Sequence, residues 1–201
     1  MIKVYHAPRT RSMRIIWLLE ELGLEYAVET VVFKPVAGRL FAQQTPFGKV
    51  PAIADGEVEM FESGAIVEYL LERHGNGRLA PAVGAAERAK YLQWLHFSES
   101  TAFAPLSGLV WLTRYRDDAE QHPDLVADAK ARAAIAFEVL EADLGEREFL
   151  LDSGFSAADI MMAFTLFAAQ VFGVLDGRFP RLVAYLERLQ ARPAYVRAAA
   201  L

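Results

Sequence analysis

Two hydrophobic periods alternate along the first third of the chain. In IKVYH (2–6) apolar and polar positions alternate, which predicts a strand. From Ser12 to Leu22 the period lengthens: Ile15, Ile16, Leu18, Leu19 and Leu22 fall at helical spacing, and Gly23 follows as a stop. YAVETVVF (26–33) predicts a second strand, and 34–48 a loop with a short helical turn. VPAIAD and EVEMF read as two short strands split at Asp55-Gly56, a hairpin signal. Ser63–Arg73 reads as a helix with Ala65, Ile66, Tyr69 and Leu70 on one face. The order βαβ–αββα predicts one sheet flanked by helices.

Near residue 76 the pattern changes. HGNGRLAPAVGAAE (74–87) carries three Gly and a Pro and reads as a linker. Everything after it has helical spacing. One long helix is expected from about Ala86 to Arg116, with Pro105 as a place to bend. A second follows His122-Pro123, a third spans 157–172, and two short ones close the chain. Phe155-Ser156-x-x-Asp159-Ile160 has the form of a capping box with a hydrophobic staple. The expected division is 1–76, a linker at 77–85, and an all-helical domain at 86–201.

Composition narrows the chemistry. The 201 residues are 54% hydrophobic and 23% charged, which suits a folded globular chain with a sizeable core. The net charge of −5, with both signs interspersed, argues against nucleic acid as a partner. No apolar run approaches the ~18 residues of a membrane span, and no secretory leader is apparent, so a cytoplasmic location is expected. There is no cysteine, which excludes disulfides, thiolate-held metals and a cysteine nucleophile. The four histidines show no metal-ligand spacing, and no metal is expected.

Three short stretches invite a chemical reading. Thr10 and Ser12 lie in the loop before the first helix, crowded by Arg9, Arg11 and Arg14. Val50-Pro51 sits where a loop meets a strand, as an ordinary bend or as a cis peptide costing ~0.5–1 kcal/mol. Glu62-Ser63 opens a helix. Ser63 suits an N-cap, worth ~1 kcal/mol, and the helix N-terminus offers N–H groups to a carboxylate.

Three motifs, in this order and spacing, carry a family resemblance: RIIWLLEELGLEY (14–26), QTPFGKVPAIADGEVEMFESGAIVEYLLERHG (44–75) and FSAADIMMAF (155–164). With them the sequence closely resembles a bacterial cytosolic glutathione transferase over essentially its whole length. The resemblance implies an α/β plus all-α fold: an N-terminal thioredoxin-like domain, then the family's helical domain. It implies a homodimer, with glutathione as co-substrate and a small hydrophobic electrophile as the second substrate. It also implies a cis Pro51 that lets the Val50 backbone pair with the cysteinyl segment of glutathione. Glu62 and Ser63 would hold the γ-glutamyl end, and Lys49 would face the glycyl carboxylate. Glu99 would reach the γ-glutamyl ammonium of a partner subunit. Phe103, Leu106, Trp111 and Tyr115 are candidates for an electrophile pocket between the domains; packing in the core is the competing role of each.

Glutathione brings its own thiol, so a chain without cysteine can still run thiolate chemistry. Lowering a thiol pKa of ~8.5 by about two units needs ~2.7 kcal/mol. A hydroxyl donating to the anion contributes ~1.5–3 kcal/mol and a helix N-terminus ~0.3–1. Three hydroxyls compete for this role. Alignment to the serine-type (theta- and beta-like) classes places Thr10 at the activating position. Alignment to the tyrosine-type classes places Tyr5 there. Ser12 falls in the first helical turn, where N-capping is its expected job. The backbone N–H groups acting alone are a fourth possibility. The expected function is conjugation of glutathione to small electrophiles. The alternatives are a glutathione-dependent peroxidase or dehalogenase at the same site, or a non-catalytic binding protein on the same scaffold.

Overall fold

The computed structural model describes the chain apart from Ala37, Gly38, Gln43, Gln44, Pro46, Phe47 and Asp117, and apart from the side chains of 34–36 and 39–42. Two compact units emerge: Met1–Pro81 together with Gln190–Leu201, and Ala82–Leu189.

The first unit opens with β1 (Ile2–His6), whose alternation buries Ile2, Val4 and His6 and leaves Lys3 exposed and Tyr5 half-buried. Helix α1 (Ser12–Leu22) buries nearly its whole surface, including Arg14. Gly23 ends it in the left-handed region (φ 64°). Leu24 N–H donates to Leu19 O at 3.0 Å and Gly23 N–H to Glu20 O at 3.2 Å, a Schellman closure. Strand β2 (Tyr26–Thr30) runs parallel to β1 with Tyr5 opposite Glu29.

The expected strand 26–33 is shorter than its pattern. Val31 donates its N–H to His6 O at 2.8 Å and is buried, Val32 turns out to solvent, and Phe33 begins another element. Where a loop with a helical turn was expected at 34–48, β3 (Phe33–Val36) and β4 (Arg39–Ala42) form a separate antiparallel ribbon. Strands β5 (Ala52–Asp55) and β6 (Val58–Phe61) complete a four-stranded sheet in the order β2-β1-β5-β6, with Gly56 at φ 63° in the turn between them. Helix α2 (Ser63–His74) buries Ile66, Val67, Leu70 and Leu71, while Ala65, expected on that face, is exposed. The hairpin end is tied to α2 through Asp55 Oδ2, which accepts from Tyr69 Oη (3.0 Å) and His74 Nε2 (2.8 Å).

In the second unit the single long helix is replaced by four pieces: α3 (Arg88–Phe97), a π-helical stretch Ser98–Ala102, α4 (Phe103–Val110) and a second π stretch Trp111–Arg116. Pro105 has no N–H for the carbonyl four residues back, and the ladder widens just upstream of it. The Ser98 carbonyl in that wider turn accepts from the buried Thr165 hydroxyl at 2.9 Å. Helix α5 (Pro123–Leu144) leads to α6 (Ala157–Val171), which is apolar on nearly every side and forms the middle of this unit. Its start is fixed by Asp159, whose carboxylate accepts from Ser156 N–H (2.7 Å), Ser156 Oγ (2.9 Å), Leu150 N–H (2.9 Å) and Tyr185 Oη (2.7 Å). Burial pushes this carboxyl upward while the four donors pull the other way. Tyr185 belongs to α7 (Pro180–Gln190).

The last helix, α8 (Pro193–Ala199), returns to the first unit rather than to the helical domain expected at 86–201. It packs on α1. Trp17 meets Tyr195 edge to face at 5.0 Å, and Arg192 and Arg197 pair with Glu21 and Glu20.

Candidate active site

The strand-to-helix connection after β1 concentrates hydroxyls. Arg9 holds a left-handed φ of 59°, which turns the chain, and the Thr10 carbonyl accepts from Met13 N–H at 3.1 Å. The half-buried Thr10 hydroxyl lies 2.7 Å from Ala7 O and 2.7 Å from Ser12 Oγ. Ser12 does not cap α1, since Arg11 holds the N-cap position. Its hydroxyl points back to the strand end instead, 2.9 Å from His6 Nδ1, and is fully buried. Burial lowers the pKa of His6 and so favours the neutral imidazole. The first turn of α1 contains no acid, so no carboxylate of that turn offsets the positive end of the helix.

The start of α2 meets this region through α1. Arg14 Nη1 donates to Ser63 Oγ at 3.0 Å, with both residues buried. Ser63 is the first helical residue and not the cap. Glu62 takes the cap position at φ 75°, ψ 109°, a conformation that non-glycine residues seldom hold outside functional sites. The Glu62 side chain is exposed, and its carbonyl accepts from Ile66 N–H at 2.9 Å. Val50-Pro51 is cis, and β5 pairing begins at Ala52, so Val50 stands outside the strand register. Val50 and Tyr5 pack against a small apolar cluster of Ala7 and Val31. Lys49 is exposed beside them in sequence. Tyr5 is on the strand face opposite His6 and below the ammonium of Lys3, 5.8 Å from its ring.

In the second unit, Phe103 stacks on Phe164 at 5.9 Å and is buried, as is Leu106, so both serve the helical core. Trp111 and Tyr115 stack on each other at 5.4 Å, with Trp111 40% exposed. They share the second π stretch, and the half-buried Glu99 lies in the first. Such widened turns recur at functional sites.

Neither His6 nor Arg14 stands out as a site residue from the sequence alone. Both had a signal. His6 continues the inward register of Ile2 and Val4, and Arg14 interrupts an otherwise apolar run between Met13 and Ile15. Among the described residues no group of three or more His, Asp or Glu could hold a metal ion, and no helix is long and apolar enough to cross a membrane.

Comparison with known proteins agrees with this layout. The model of the glutathione S-transferase N-terminal domain matches residues 1–72, and that of the C-terminal domain matches 103–193. The glutathione S-transferase-like protein OpS6 of Beauveria bassiana is 31% identical over 99% of this chain and 94% of its own length. A glutathione S-transferase of Silene vulgaris is 30% identical over 100% and 97%. Among solved structures, the glutathione transferase URE2P6 from Phanerochaete chrysosporium, in complex with oxidised glutathione, superposes with a TM-score of 0.84 at 26% identity over 98% of this chain and 94% of that one. Sheet, helical unit and matched sequence agree, and the chain belongs to the glutathione S-transferase family.

Proposed function

We propose that the protein binds glutathione in its first unit and transfers the thiolate to small hydrophobic electrophiles, with Thr10 as the hydroxyl that stabilises the sulfur anion. The observation that carries this reading is the placement of the Thr10 hydroxyl, half-buried at the positive end of an acid-free helix start. Ser12 is enclosed, and Tyr5 sits on the far face of β1 from His6. In this reading the Val50 backbone pairs with the cysteinyl segment beside the cis Pro51. Glu62 and Ser63 take the γ-glutamyl end, and Lys49 the glycyl carboxylate. Trp111 stacked on Tyr115 offers aromatic surface for the electrophile. Threonine at the activating position sets the protein beside the serine-type classes.

The same thiolate could reduce a peroxide or displace a halide. The related structure with oxidised glutathione favours keeping a redox reaction as the second reading. We also infer a homodimer. Ile135 and Val139 are 60% and 53% exposed on α5, beside a groove of about 360 Å³ lined in part by Phe97, Ala104 and Pro105.

The test is thiolate absorbance of the glutathione complex against pH. Thr10→Val should raise the bound thiol's pKa by about one to two units, while Thr10→Ser should keep it low. Tyr5→Phe should change little. A curve unmoved in Thr10→Val but moved in Tyr5→Phe would transfer the role to Tyr5.

A further inference from the structure

Three polar groups line up behind the surface at the start of α1. Thr10 Oγ1 is 2.7 Å from Ser12 Oγ, and Ser12 Oγ is 2.9 Å from His6 Nδ1. Ser12 is fully buried and His6 is 2% exposed, so neither can touch a ligand in place of Thr10. The proposed function uses Thr10 alone and leaves the two groups behind it unexplained.

Counting hydrogens shows what they can do. Each hydroxyl has one proton. Without a ligand, the Thr10 proton can rest on Ala7 O at 2.7 Å. A thiolate accepts only, so serving it costs Thr10 its bond to Ala7 O. The 2.7 Å contact between Thr10 and Ser12 then needs a proton from Ser12. The 2.9 Å contact between Ser12 and His6 in turn needs one from the imidazole. The remaining donors, Ala7 N–H to Ser12 Oγ at 3.3 Å and Ser12 N–H to Thr10 Oγ1 at 3.4 Å, are long and cannot replace that chain.

We propose that His6 and Ser12 are positioning residues that aim the Thr10 hydroxyl at the glutathione sulfur. His6 Nδ1–H donates to Ser12 Oγ, Ser12 O–H to Thr10 Oγ1, and Thr10 O–H to the thiolate. This rests on the reading of Thr10 as the thiolate's donor. Burial lowers the pKa of His6 and so favours the neutral imidazole, whose single proton completes the row when it stands on Nδ1. Hydrogen bonds in such a row polarise one another, so each strengthens the last. Only the Thr10 hydroxyl hydrogen has to turn, from Ala7 O to the sulfur, when glutathione binds.

The experiment measures the pKa of the glutathione thiol bound to the purified protein, with glutathione affinity and melting temperature followed in parallel. Ser12→Ala should raise that pKa by about half a unit to one unit, less than Thr10→Val does, with affinity little changed. His6→Leu should do the same. His6→Asn, whose amide can put an N–H near the Nδ1 position, should restore the low value. In a Thr10→Val background, Ser12→Ala should add nothing. If Ser12→Ala does not fold, the His6→Leu and His6→Asn pair decides the matter alone. A bound thiol that titrates as in wild type in both Ser12→Ala and His6→Leu, while Thr10→Val moves it, overturns the relay and leaves Thr10 as the donor. An effect of Ser12→Ala that persists undiminished in the Thr10→Val background also overturns it. If Thr10→Val itself moves nothing, the reading of Thr10 fails, and the relay with it.

Discussion

Arg14 and Ser63, separated by 49 positions, are joined by a 3.0 Å hydrogen bond from Nη1 to Oγ with both side chains out of solvent. The bond fixes the start of α2 against the first turn of α1. A hydroxyl bonded to a buried guanidinium is worth ~1.5–3 kcal/mol, more than the ~1 kcal/mol of a simple cap. Ser63→Ala should therefore lower the stability of the protein by about 1.5–3 kcal/mol as well as weaken glutathione binding. Denaturant titration and calorimetry of the same variant check both. Full stability with lost affinity would mean that Ser63 serves the ligand only.

Asp159 accepts four hydrogen bonds where a capping box needs fewer. Asp159→Ala strands the Leu150 and Ser156 N–H groups and the Tyr185 hydroxyl inside the protein. Each stranded group costs ~1–3 kcal/mol, so a loss on the order of 3–5 kcal/mol is expected. Turnover per folded molecule should hold. A melting temperature near that of wild type would remove the structural role.

Acid should loosen the first unit in a defined window. Hydrogen bonds from His74 and then Tyr69 hold the Asp55 carboxyl below its usual range, and those from Tyr26 and Arg197 do the same for Glu20. A carboxyl depressed in the folded state stabilises above its unfolded pKa, ~3.9 for Asp and ~4.3 for Glu, and loses that contribution as pH falls through the folded value. Melting temperature should be steady above about pH 5 and drop below 4. Asp55→Asn with Glu20→Gln should flatten the drop. An equally steep profile in the double variant would place the acid sensitivity elsewhere.

The clasp between α1 and α8 gives a fourth test. Arg192 grips Glu21 with two bonds, Nε to Oε1 at 2.7 Å and Nη2 to Oε2 at 2.9 Å, while Trp17 Nε1 also donates to Oε1 at 2.9 Å. Arg192 is partly exposed, so solvent screening trims the effect of Arg192→Ala to about 1–2 kcal/mol. Hydrogen exchange should quicken in α1 and α8 and stay unchanged in α5 and α6. Uniform quickening would mean that the two units unfold as one.

What the sequence revealed was whatever is decided locally. The period of β1, the Gly23 stop, the hairpin at Asp55-Gly56 and the Ser156–Asp159 box all lie within a few residues of the structure they dictate, and all are present. The rest is set at a distance. Ser12 looks like a cap until His6, six residues back, takes its hydroxyl. Arg14 looks like a surface charge until Ser63 arrives from another helix. The break after Thr30 follows from Val31 bonding to His6 O, and its apolar neighbours hide it. Proline marked the weak place in the long helix, but the ladder widened ahead of Pro105 and did not simply bend there. Nothing in the helical spacing of α8 says which unit it joins.

That last feature bears on how the protein is made. The first unit consists of Met1–Pro81 and Gln190–Leu201, with Ala82–Leu189 between them. A ribosome therefore finishes most of the first unit before it has synthesised the helix that covers Trp17. At ~5–20 residues per second, the intervening stretch takes roughly 5–20 s to translate. For that interval the nascent first unit carries an uncovered apolar strip along α1 and two glutamates waiting for their arginines. Its maturation waits on Gln190–Leu201, even though its sheet lies within Met1–Pro81.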